Sequence, residues 1–219
     1  MATAACPIDH IMIGAPEFEL ALKFARDTFG IEAVPGGRHA QLSTRNALIG
    51  LNDGPLGERR YLELITPDEA SNGSSPYRTA LEQLNAPQLI TAILACSDID
   101  ELAEKGRAAG MKTTGPMHLS RTGSDGKKLE WRLLNFSEHN FGSAMPTFID
   151  WAEAAHPAAD LEPAMSLTEL FIETPHSEAL HKCFTSLGVG IPTRFAETGK
   201  MKAVLLTPNG QVIIDGDIL

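Results

Sequence analysis

Gly36-Gly37-Arg38-His39-Ala40-Gln41-Leu42-Ser43-Thr44-Arg45-Asn46-Ala47-Leu48-Ile49-Gly50-Leu51 and, past a polar turn, Arg60-Tyr61-Leu62-Glu63-Leu64-Ile65-Thr66-Pro67 decide how this chain is read. Their apolar and β-branched residues predict strands at roughly 38–44, 46–51 and 60–66, with Asn52-Asp53-Gly54-Pro55 as the turn between the last two. Side chains alternate along a strand, so Tyr61, Glu63 and Ile65 share one face and Leu62 and Leu64 the other. A lone carboxylate between leucines is costly to bury unless a metal, an arginine or a function answers it. Arg38 and Arg45 are the nearest candidates for a purely structural ion pair.

Upstream, Ile8 to Ile13 alternates as a strand. Ile8, His10 and Met12 face one way, and Asp9, Ile11 and Ile13 the other. Pro16 opens a helix whose stripe is Phe18, Ala21, Leu22, Ala25 and Phe29, and Gly30 closes it. The order is β-α-β-β-β. Residues 67–76 form a loop, and Tyr77 to Leu84 a short linking helix.

The same order then repeats. Leu89 to Cys96 is a strand, and Asp98 with Glu101 caps a helix lined by Ile99, Leu102, Ala103 and Ala109. Strands follow near 113–121, around Leu129, Trp131 and Leu133 after a turn at Ser124-Asp125-Gly126, and from Met145 to Trp151. A third, shorter copy comes after His156 to Asp160. It has a strand from Leu167 to Thr174, a helix with Leu180, Cys183, Phe184 and Leu187 inward, and two strands joined at Pro208-Asn209-Gly210. The expected organisation is α+β. Paired βαβββ modules over 1–160, split into 1–76 and 77–160, form a cupped mixed sheet with helices outside, and a third partial βαββ module over 161–219 packs on them. Aligning Pro16 with Pro175 puts Glu169 at the position of His10, and Thr91 or Ala92 at that position in the second copy.

The chain has 219 residues, 43% of them apolar, and a net charge of −10. That supports a sizeable core without disulfides and argues against nucleic acid or an anionic membrane as partner. No apolar run approaches the roughly 20 residues of a bilayer span. The N-terminal segment lacks a basic region and an apolar stretch of the kind a signal peptide needs. Cys6, Cys96 and Cys183 have no metal-like spacing and read as thiols in a reducing cytoplasm.

Several of these pieces together resemble the vicinal oxygen chelate (glyoxalase/bleomycin resistance/dioxygenase) superfamily, and within it the glyoxalase-like domain branch. They are Asp9-His10, Gly36 to His39, Thr44 to Leu48 and Tyr61 to Ile65. Arg121, Asp125-Gly126, Leu129, Trp131, Phe148 to Trp151 and His156-Pro157 add to the likeness. The resemblance covers most of the chain and is weakest after about residue 160. It implies paired βαβββ modules around a cup. In much of the superfamily that cup holds a divalent metal (Zn, Fe, Mn or Ni), serving isomerases, lyases, epimerases and dioxygenases; other members bind drugs without a metal. Gln41 and Ser43 stand where the family usually has small glycines, which narrows the cup mouth or changes its ligand.

Expectations for the site follow. His10, Glu63 and His39 are the candidate metal ligands. Glu63 is also the candidate catalytic base, provided an apolar cup raises its pKa. Arg45, Asn46, Arg121, Trp131 and Asp150 are the candidate substrate contacts. Two functions stay open: a metal-dependent lyase, isomerase or dioxygenase acting on a small oxygenated molecule, and a metal-free protein that sequesters a small molecule. A small-molecule ligand is the expected partner, and a homodimer is compatible with the pattern.

Overall fold

The computed structural model describes residues 6–55, 57–123, 126 and 128–218. The turn expected at Ser124-Asp125-Gly126 lies outside them save for Gly126, as do residues 1–5 of the N-terminal segment. The first unit runs β1 (Ile8–Gly14), α1 (Phe18–Phe24, continued as a π-helical turn Ala25–Phe29), β2 (Val34–His39), β3 (Thr44–Leu51) and β4 (Arg60–Pro67). After the linking helix α2 (Pro76–Glu82), the second runs β5 (Gln88–Ala95), α3 (Ile99–Ala108), β6 (Lys112–Gly123), β7 (Lys128–Ser137) and β8 (Thr147–Asp150). The third is β9 (Pro163–Thr174), α4 (Ser177–Leu187), β10 (Thr193–Phe195), β11 (Lys200–Thr207) and β12 (Gly210–Asp217).

Eight strands close a ring in the order β4-β1-β5-β8-β7-β6-β2-β3, and β3 pairs back onto β4. The first strand of each of the first two units lies parallel to its fourth, β1 on β4 and β5 on β8, while the remaining pairs around the ring are antiparallel. This is a mixed sheet curled into a cup. Strands β9, β11 and β12 extend it from the end of β3, where Gly50 and Leu51 meet Pro163 and Met165. A side chain at Gly50 would stand 2.3 Å from the Glu162 carbonyl, so the two units meet there only because that side chain is missing.

The helices pack on the outer face. Phe18, Ala21, Ala25 and Phe29 bury against Ile11, Ile13, Leu62 and Leu64. Asp98 caps α3 by accepting the Glu101 N–H at 2.9 Å. Leu180, Phe184 and Leu187 of α4 join the same core, which runs unbroken from the first unit to the third. Burial of that much apolar surface, at about 25 cal/mol per Å², is the main term holding the three units together.

Three sequence expectations shift. The strand placed at 38–44 starts earlier, at Val34, and residues 40–43 turn. Its register slips between Pro35 and Arg38, so the Gly36-Gly37 pair is an irregularity inside β2 rather than its opening. The third copy gains β10, three residues that were too short to show in the pattern. Ile8 does not share the face of His10. One extra residue in β1 shifts its register against β5 between Ile8 and His10, and Ile8 turns to the helix-side core.

Candidate functional site in the cup

Parallel pairing of β1 with β4 sets His10 opposite Tyr61 and Met12 opposite Glu63. The His10 ring stacks on Tyr61 with centroids 4.3 Å apart and planes within 16°. Its Nε2 lies 3.3 Å from Glu63 Oε2, and its Nδ1 lies 2.6 Å from Asp9 Oδ1. His10 and Glu63 are only 4% and 5% exposed, so the imidazole is held between two buried carboxylates.

Each carboxylate has further donors. Asp9 Oδ2 accepts the indole N–H of Trp151 at 2.9 Å and lies 3.2 Å from His156 Nε2. Glu63 Oε1 accepts a short hydrogen bond from the Asn46 amide. Asn46 Oδ1 in turn accepts the Gly37 backbone N–H at 2.8 Å. The irregularity in β2 therefore has a structural consequence: it points a main-chain donor at the residue that holds Glu63.

Charges in the cup follow from these contacts. Burial pushes the Glu63 carboxyl up. The hydrogen bond and charge of His10, the charge of His39 and the Asn46 amide overcome that and hold it at about 2. Burial pushes His10 down, yet Asp9 and Glu63 bring it up to about 9. Asp9 is driven well below its usual range by His10 and His156, against burial. Glu63 is thus no base of raised pKa, contrary to expectation. At neutral pH it is a carboxylate facing an imidazolium.

The cavity beside this cluster has a volume of about 210 Å³. Met12, Ile65, Ile93, Leu119, Leu133 and Ile149 give it an apolar lining, with Trp131 and Trp151 tilted together at 5.5 Å. His39 lines it too, edge-on to Trp131 and with Nδ1 3.0 Å from Thr44 Oγ1; burial holds it neutral. Tyr77, from the linking helix, brings in a buried hydroxyl that has no hydrogen-bond partner among the described residues. A larger groove, about 540 Å³, lies at the seam with β9. Its buried arginine, Arg60, already donates to Asn52 and to the Asp53 carbonyl.

Of the expected contacts, His10, Glu63, His39, Asn46, Arg121 and Trp131 line this cavity. Arg45 does not. It alternates to the helix side, where its guanidinium covers the Phe18 ring at 3.6 Å and pairs with Glu69 at 3.4 Å. Asp150 does not either: Ile149 and Trp151 face inward, so Asp150 points out and pairs with Arg132 at 2.5 Å. Neither arginine named as a structural partner reaches Glu63, since Arg38 pairs with Asp68. Glu169 lies in the seam groove and pairs with Arg194. Sequence reasoning gave no site role to Asp9, Tyr77, Trp151 and His156, although Asp9, Trp151 and His156 stand in the pieces that carry the resemblance. Plain alternation sends Asp9 outward, and only the extra residue in β1 brings it beside His10.

The model of the glyoxalase-like domain matches residues 8–188. The chain belongs to the glyoxalase-like domain family. No curated protein matches the sequence. Solved structures share the fold of this glyoxalase-like protein at low identity. A hypothetical protein from Staphylococcus aureus is 16% identical with a TM-score of 0.65, over 97% of this chain and 86% of that one. Methylmalonyl-CoA epimerase in complex with methylmalonyl-CoA and NH4+ is 22% identical with a TM-score of 0.52, over 70% and 99%. A variant of the Streptomyces coelicolor methylmalonyl-CoA epimerase in complex with 2-nitronate-propionyl-CoA is also 22% identical at 0.52, over 69% and 98%.

The superfamily raises the question of a divalent metal. The second unit adds no ligand from its first and last strands, which turn Thr91, Ile93, Thr147 and Ile149 toward the cup. Among the described residues no three His, Cys, Asp or Glu side chains gather in a way that could hold a metal ion. The expected set of His10, Glu63 and His39 does not form one, and His10 and Glu63 already satisfy each other. The residues present do not fit a metal.

Proposed function

We propose that this glyoxalase-like protein takes a small oxygenated molecule into the cup and moves a proton on it, as an isomerase or lyase, with Glu63 as proton acceptor. The observation that carries the reading is the buried imidazolium of His10 held between Asp9 and Glu63. Three buried ionised groups, two of them lining an apolar cavity, are a large desolvation burden that folding alone does not require.

Burial is the largest single influence on Glu63 and pushes its pKa up; the hydrogen bond and charge of His10, then the charge of His39 and last the Asn46 amide hold it down. A ligand oxygen that draws the His10 imidazolium off Glu63 removes the largest influence opposing burial, and the carboxylate becomes a stronger base. Glu63 then takes a proton from the carbon next to a carbonyl, and the imidazolium stabilises the anion that forms. In an isomerase the same carboxyl returns the proton to a neighbouring carbon. The Tyr77 hydroxyl, without a hydrogen-bond partner among the described residues, supports the presence of a polar ligand atom in the cup.

The test is deuterium wash-in. Protein in D2O is incubated with a panel of small ketones, 2-oxo acids and 2-hydroxy acids, and proton NMR follows loss of the C–H signal. Exchange on at least one compound is expected, and Glu63→Gln should slow it about 100-fold or more, with a lower melting temperature but a melt that stays cooperative. Binding without exchange in any compound would favour the second reading, a sequestering protein, which the apolar lining supports. Parallel incubations with Zn, Mn, Ni or Fe(II) address a metal-dependent lyase, isomerase or dioxygenase. Exchange or oxygen uptake that needs added metal would restore that reading.

A further inference from the structure

The cup has a second charged end. Arg121 on β6 lines the cavity, half-buried, where β6 closes the ring on β2. Its Nη1 lies 3.0 Å from where a side chain on Gly36 would begin and 3.2 Å from that on Gly37. The two glycines thus leave the space this guanidinium occupies. No carboxylate among the described residues pairs with it, whereas the half-buried Arg45, Arg78 and Arg132 and the exposed Arg38 all have acidic partners. Its charge is felt by His39 and Tyr61, so it faces the same space as the proton-transfer pair.

We propose that the ligand of the cup is a small carboxylic acid whose carboxylate docks on Arg121. The inference rests on the proton-transfer reading for which end of the ligand reacts, and it adds the ligand's class. Arg121 offers a planar fork of donors matched to a carboxylate. At the other end, Asp9 and Glu63 against His10 leave an excess of negative charge, which repels a ligand anion. The two ends therefore orient the ligand: carboxylate at the ring closure, reactive carbon at Glu63, apolar body along Trp131 and Leu133. A single guanidinium matches one negative charge better than the two of a phosphate ester. A cavity of about 210 Å³ is smaller than those that enclose drug-sized ligands, so the acid is small.

The experiment compares ligands of one skeleton. Calorimetric titration measures binding of aryl- and alkyl-substituted acids of two to five chain carbons, with the matching primary amides and phosphate monoesters. At least one acid should bind ten-fold or more tightly than its amide and its phosphate ester. Arg121→Gln should remove that ten-fold preference and leave amide binding unchanged, and Arg121→Lys should keep part of it. A melting curve on each variant checks the fold. Equal binding of acid and amide, a preferred phosphate ester, equal loss of both ligands in Arg121→Gln, or no acid bound at all would each overturn the proposal. Deuterium exchange on a neutral ketone, without preference for acids, would overturn this inference and leave the proton-transfer reading standing.

Discussion

At the scale of single residues, His10 and Glu63 tie stability to pH. His10 is raised from 6.5 to about 9, so its contribution is fully present below pH 6.5 and lost as pH climbs through 9. Glu63 is lowered from 4.5 to about 2, so its contribution is present above pH 4.5 and lost as pH falls through 2. The pair stabilises the fold most between those limits, from about pH 4.5 to 6.5. The urea midpoint should fall between pH 6.5 and 9, and His10→Gln should flatten that limb while lowering stability by about 3–5 kcal/mol, since it strands two buried carboxylates. Histidine NMR titration gives a direct check: the His10 ring should remain protonated at pH 7.5 while His39 is neutral. A neutral His10 at that pH would remove the basis for the charged pair.

At the scale of elements, glycines mark where strands meet other groups at close range. A Cβ on Gly36 would come within 2.1 Å of Asn46 Oδ1, the movable end of a side chain. A Cβ on Gly216 of β12 would come within 1.6 Å of the Leu89 carbonyl in β5, which is backbone. Gly36→Ala should therefore fold, at a loss of about 1–3 kcal/mol, with Asn46 displaced and the Glu63 pKa raised. Gly216→Ala should cost more, because a strand must move. Chemical denaturation of both variants, with carboxyl NMR on the first, checks the order. Equal losses would mean β12 is free to shift.

At the scale of the molecule, α4 and β9 bury Leu167, Leu170, Ile172, Leu180, Phe184 and Leu187 in the core that also holds α1 and α3. Val189 bridges to Cys6 at the start of the first unit. Cutting the chain after residue 160 uncovers that surface and the end of β3. The expected outcome is aggregation or loss of a cooperative melt, read by size-exclusion chromatography and calorimetry. A soluble, monomeric, cooperatively folding fragment would show that the third unit is an appendage.

The repeat, the helices and the inward set of β4 could be read from the chain because they rest on local periods: 3.6 residues for the stripe of Phe18, Ala21 and Ala25, two for Tyr61, Glu63 and Ile65. Those periods also determined that Glu63, flanked by leucines, would need an answering group. What answers it was a tertiary matter. One extra residue in β1 turned Asp9 toward His10, and ring closure carried Arg121 to Gly36 and Gly37. Trp151 and His156 reached Asp9 across more than 140 positions of sequence. Alternation also misled for Asp150, because a period of two fixes which residues share a face but not which face is inward. That choice belongs to the sheet's curvature, which no single strand contains.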